Sequence, residues 1–161
     1  MLAPAVVDAS PLIVLAKASH LVLLQLASDP VLVPQRVALE IQGQAPNDPA
    51  AQALAKTSWL VIVDPGPILP ALQPYRLGPG EAEVLTWALT HPGTQAILDE
   101  RVARRCATAL GVSHQGTVGV VIAARQHGVI PAARPVLEQL RRAGLYLSDR
   151  AMQQALALVG E

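Results

Sequence analysis

Phenylalanine is absent from this 161-residue chain, and tryptophan and tyrosine occur only twice each. The core must therefore be built from Leu, Val, Ile and Ala, and little aromatic surface is left for stacking on single-stranded bases. Cysteine occurs once, at Cys106, so no internal disulfide can form and nothing points to an oxidising compartment. Net charge is missing too. Twelve Lys and Arg balance twelve Asp and Glu, which excludes a generic polybasic nucleic-acid coat protein. The most apolar stretch, Pro11 to Pro34, is broken by Lys17, His20 and Asp29, so no clean membrane span is present. The first positive charge is Lys17, and Asp8 interrupts the first apolar run, against a secretory signal. A cytoplasmic protein with no membrane segment is expected.

What is present is a core. Hydrophobic residues make up 52% and charged residues 15%, which excludes a disordered chain, and the length suits one domain spanning 1–161. Four short runs are almost wholly apolar: Ala5-Val6-Val7, Val31-Leu32-Val33, Trp59 to Val63, and Ala96-Ile97-Leu98. A half-exposed strand would alternate, so these runs predict strands covered on both faces. Helical patterns lie between them. Ser10-Pro11 and Asp48-Pro49 both read as an N-cap followed by Pro at the first helical position. Gly111, Gly128 and Gly144 read as C-terminal caps. The alternation predicts a three-layer α/β domain with a mostly parallel sheet. Residues from about 117 to 161 form an all-helical C-terminal part, in segments Thr117–His127, Ala132–Ala143 and Ser148–Val159. The Pro- and Gly-rich stretch Asp64 to Gly80 reads as an irregular loop over the sheet. Gly78-Pro79-Gly80 is not a dinucleotide loop, because it lacks a preceding strand and a third glycine.

Any site has to come from where the acids sit. Most of the twelve have ordinary roles: Asp48 as a cap, Asp29 and Asp64 in Pro-flanked turns, Glu161 at the terminus, and Glu138 paired with arginines on its own helix. Four do not. Asp8 and Asp99 each end an apolar strand, at the sheet edge where parallel α/β folds bind ligands. Glu81 falls on the stripe of Leu85 and Ala88, while Glu83 lies about 200° round and should face water. Glu40 sits about 60° from Val37, at the edge of an apolar stripe.

Converging buried carboxylates need a counter-charge. The nearest basic cluster, Arg101, Arg104 and Arg105, lies opposite Val102, Cys106 and Leu110 and so points outward. A hard divalent cation, Mg²⁺ or Mn²⁺, suits four carboxylates better, and the scattered His residues with one Cys show no zinc spacing. Other strand-end acids cap helices or bind arginine, so spacing alone leaves both readings open.

The flanks of these four acids resemble the PIN domain, the fold of many metal-dependent ribonucleases including VapC-like toxins. In particular they resemble a PIN-like branch with a helical C-terminal extension. The resemblance rests on five segments in order: Val7-Asp8-Ala9-Ser10-Pro11-Leu12-Ile13, Val37-Ala38-Leu39-Glu40-Ile41, Gly80-Glu81-Ala82-Glu83, Leu98-Asp99-Glu100 with Ala103-Arg104, and Gly116-Thr117-Val118-Gly119-Val120. It departs from the branch at Glu100, where a second Asp is common. It implies a divalent-metal-dependent endoribonuclease that hydrolyses RNA phosphodiesters. Asp8, Glu40, Glu81 and Asp99 would be its catalytic metal ligands, with Glu100 reaching the metal through water. It further implies the toxin of a toxin–antitoxin pair, a small antitoxin partner and a homodimer. Ser10 and Thr117 either cap helices or orient the ligands with their hydroxyls. Arg101, Arg104 and Arg105 either form a solvated face with a Glu100–Arg104 pair or hold an RNA phosphate backbone. Leu137, Leu140, Leu145, Leu156 and Leu158 either pack on the core or meet a partner. The alternative function is a non-catalytic PIN-like module that binds protein or RNA. A phosphatase is disfavoured because Ser10 stands where that chemistry wants a second Asp.

Overall fold

A computed structural model of the protein describes residues 4–161. Its centre is β1 (Ala5–Val7), three small apolar residues with no solvent exposure. On one side β1 pairs with β2 (Val31–Pro34), which pairs with β3 (Leu60–Val63). On the other it pairs with β4 (Gln95–Ile97), which pairs with β5 (His114–Gln115). Every pairing is parallel and the order is β3-β2-β1-β4-β5.

Parallel strands need crossovers, and helices supply them. Helices α1 (Ala9–Lys17), α2 (Gln35–Gln42), α3 (Pro49–Lys56) and α4 (Pro79–Thr90) pack on one another. Helix α5 (Arg101–Ala109) lies against β5. Helix α6 (Thr117–Gln126) gathers α7 (Arg134–Arg142) and α8 (Asp149–Ala157). The result is the expected three-layer α/β fold with an all-helical C-terminal part.

Three local expectations change. β3 is an edge strand, and Val61 and Ile62, on opposite faces, are 38% and 46% exposed, so it is not covered on both faces as expected. β5 has no apolar run to announce it, since its two residues are polar and half-buried. Helix α1 starts at Ala9, so its N-cap is Asp8 and not Ser10. Pro11 is tolerated there because first-turn N–H groups have no intrahelical acceptor to lose. Asp48 caps α3 as expected, accepting from the Ala50 and Ala51 N–H groups. Gly111, Gly128 and Gly144 take the left-handed conformation at helix ends. Of the C-terminal leucines, Leu137, Leu140 and Leu156 are core, Leu145 is half-buried and Leu158 is exposed. Glu138 makes no ion pair among the described residues, where Arg141 pairs with Asp149 instead.

The topology positions the site. The chain runs outward from β1 through β2 to β3 and then returns to β1's other side as β4. Strand order reverses between β1 and β4, and a crevice opens there at the carboxyl ends of the strands. Asp8 follows β1 directly, and its N–H bonds to the Ile97 carbonyl of β4 at 3.1 Å. Asp99 follows β4 two residues on.

Candidate acidic cleft

A cleft of about 1710 Å³ lies over this crevice, and Asp8, Glu40, Glu81, Asp99 and Glu100 all line it. Asp8 is 6% exposed, the deepest of the five. Burial pushes its carboxyl up from 3.8 to about 7, the Ala9 N–H opposes that, and Glu81, Glu40 and Asp99 reinforce it. Glu40, Glu81 and Asp99, from α2, α4 and the end of β4, therefore all act on Asp8 at the end of β1.

Each is placed by its own element. Glu81 is the third residue of α4, and its carboxylate accepts the Gly78 N–H at 3.4 Å, half of a capping box. That carboxyl is also raised, by burial first and then by Glu100 and Glu40, against the Gly78 hydrogen bond. Glu40 is exposed, one turn beyond buried Val37 on α2. Glu83 is half-buried and is not left to water alone. It accepts the Arg36 N–H at 2.8 Å and so ties α4 to the first turn of α2, the helix that carries Glu40. Sequence reasoning missed this because the pairing spans two helices far apart in the chain.

Gly80 brings two of the carboxylates together. A Cβ there would sit 3.3 Å from the Asp8 Oδ1 and 3.5 Å from the Glu40 Oε2. A side chain at residue 80 would fill the space between α4 and these oxygens, and glycine leaves it open.

Asp99 is held by Thr117. The Thr117 N–H reaches Asp99 Oδ1 at 2.7 Å and its hydroxyl donates to Oδ2 at 2.6 Å. Thr117 is fully buried and is the first residue of α6, whose N-cap is Gly116. Its hydroxyl therefore orients an acid and does not cap a helix. Ser10 is no cap either; it is exposed and lines the cleft. Thr117→Val keeps the shape and removes the hydroxyl. Binding of Mn²⁺ is expected to weaken by about 10-fold or more, measured by titrating Mn²⁺ against the melting temperature of the two proteins.

The arginines of α5 front the same cleft. Arg101 and Arg105 are exposed and Arg104 is half-buried, and none makes an ion pair among the described residues. The anticipated Glu100–Arg104 pair is not formed, and these two residues share only the helix hydrogen bond from the Arg104 N–H to the Glu100 carbonyl. Arg104 turns inward. A Cβ on Gly116 would fall 2.4 Å from its Nη1 and 2.9 Å from Asp99 Oδ1, so only glycine admits both groups. Arg104 and burial together depress the His114 imidazole, with burial the larger cause. On the opposite side of α5 Cys106 is core, whereas Val102 is 44% exposed.

The donor set consists of hard carboxylate oxygens, which suits Mg²⁺ or Mn²⁺ and not a thiophilic ion. Among the described residues no three His, Cys, Asp or Glu side chains close to chelating distance. The acids ring the cleft floor without meeting, as like charges do. The buried Asp8 and the Gly80 gap beside it fit a small hard cation.

A family model described as a PIN domain matches residues 4–161. No curated protein and no solved structure matches the chain.

Proposed function

The chain belongs to the PIN-domain family, a class of nuclease folds, and on that premise we propose that it is a divalent-metal-dependent endoribonuclease. The observation that carries this reading is the convergence of Asp8, Glu40, Glu81 and Asp99 in one cleft, with Arg101, Arg104 and Arg105 beside them. Asp8, Glu81 and Asp99 would hold Mg²⁺ or Mn²⁺, with Glu40 completing the set and Glu100 reaching it through water. An ion bound there would supply an activated water and neutralise charge on the phosphoryl oxygens. The protein's own groups do the positioning. Thr117 fixes both oxygens of Asp99, Glu81 is pinned by the Gly78 N–H, and Ser10 offers a hydroxyl at the cleft wall. Arg104, free of any carboxylate partner, faces the position a scissile phosphate would take beside Asp99.

As the finer part of the reading, the protein is the cytoplasmic toxin of a toxin–antitoxin pair. Exposed Leu39 and half-buried Leu145 give the acidic cleft an apolar rim that suits an antitoxin segment. The exposed Val61 and Ile62 on the edge strand β3 suit a second copy in a homodimer. No helix among the described residues is long and apolar enough to cross a membrane. The second reading, a non-catalytic module that binds protein or RNA, is favoured by the failure of any three acids to close on one point. Purified protein incubated with single-stranded and structured RNA decides between them. Cleavage in Mn²⁺ that EDTA abolishes is expected, and intact RNA together with no thermal shift on adding Mn²⁺ supports the binding module.

A further inference from the structure

The protein has four aromatic residues that could meet a base. Trp59, Tyr75 and Trp87 pack against the core, and Tyr146 does not. Its side chain is 92% exposed and lines the acidic cleft, in the turn between α7 and α8. That turn is fixed on both sides of the ring. Gly144 turns the chain at φ +116°, and the Leu145 N–H bonds to the Leu140 carbonyl at 3.0 Å. Leu147 is buried, its carbonyl accepts from Arg141 Nη1 at 3.3 Å, and Ser148 caps α8. Held between two anchored leucines, the ring stands in water at the mouth of the cleft.

We propose that Tyr146 is the base-stacking platform of this cleft, its ring stacking on an unpaired base of a strand whose phosphates the α5 arginines meet. This rests on the ribonuclease reading of the same cleft. A nucleic acid needs two things from such a wall. Its phosphates need cations without partners, and Arg101, Arg104 and Arg105 make no ion pair among the described residues. Its unpaired bases need a π-face, which Tyr146 presents. Every base has such a face, so the contact tolerates any sequence but rejects bases locked in a duplex. The proposed role for Tyr146 is positioning: it holds the strand and takes no part in bond cleavage.

The test measures binding of a fluorescent single-stranded oligoribonucleotide in EDTA, together with Mn²⁺-dependent cleavage, for wild type, Tyr146→Ala and Tyr146→Phe. Tyr146→Ala is expected to bind about 10-fold more weakly, and Tyr146→Phe within about twofold of wild type, because stacking uses the ring and not the hydroxyl. In cleavage KM is expected to rise with kcat little changed. Removing one base at a time from the RNA should give one position whose loss weakens wild type but adds nothing in Tyr146→Ala. The proposal is overturned if Tyr146→Ala binds as wild type, if Tyr146→Phe loses as much as Tyr146→Ala, or if no base couples to the ring. Wild-type protein that binds no RNA also overturns it. Wild-type cleavage with a silent Tyr146→Ala sinks the platform and leaves the nuclease. Tyr146-dependent binding without metal-dependent cleavage does the reverse.

Discussion

Asp8→Asn is expected to lose Mn²⁺-dependent RNA cleavage by about 10³-fold or more, leaving a folded protein. The size follows from position. Asp8 is the most buried of the acids and sits at the strand-order reversal, and Glu40, Glu81 and Asp99 all act on it. The amide is isosteric but carries no charge, so the remaining carboxylates must hold the ion with one negative charge fewer. Asp29→Asn is the matched control, because Asp29 is exposed and, among the described residues, its side chain accepts only from Gln25. Initial rates on one RNA, over a range of Mn²⁺ for all three proteins, check this. If excess Mn²⁺ restores Asp8→Asn to wild-type rate, Asp8 contributes affinity alone. If Asp8→Asn cleaves like wild type without added metal, the proposed chemistry is wrong.

How much of this could be read beforehand follows from which signals are local. β1, β2 and β4 were legible because strands buried on both faces must be apolar throughout. β5 was not, since His114 and Gln115 pair through their backbones on one side only and carry no apolar signature. Asp8 and Asp99 were legible as strand-end acids, and Glu81 through its helical phase with Leu85, which is fully buried. What pattern could not reach was partnership at long range. Thr117 holds Asp99 across 18 positions, and Glu83 reaches the first turn of α2 across 47. Glu161, unremarkable by sequence, accepts the Ala133 and Arg134 N–H groups and so caps α7. Tyr146 was invisible for another reason: an aromatic between two leucines reads as core. Only the turn set by Gly144 sends that ring outward while Leu147 goes in.

The same Asp8→Asn substitution is expected to raise the melting temperature of the metal-free protein at pH 8, by up to about 10 °C, and by less than half of that at pH 5. The folded protein holds the Asp8 proton more tightly than the unfolded chain, with a carboxyl near 7 against 3.8. Stability from this group is therefore full below the unfolded value. It is lost as pH rises from about 4 through 7, because the charged form is tolerated by the unfolded chain and penalised in the fold. The full shift corresponds to about 4 kcal/mol, an upper limit because Asp8 is coupled to the charges of Glu40, Glu81 and Asp99. An amide never ionises and escapes the penalty. Mn²⁺ at pH 8 should reverse the ranking, stabilising wild type by binding the folded state while leaving Asp8→Asn little changed. Melting curves at pH 5 and 8, in EDTA and in Mn²⁺, separate the two effects. If the wild type and Asp8→Asn differ equally at both pH values, the gain comes from packing. Asp8 would then carry no buried charge for a metal to relieve.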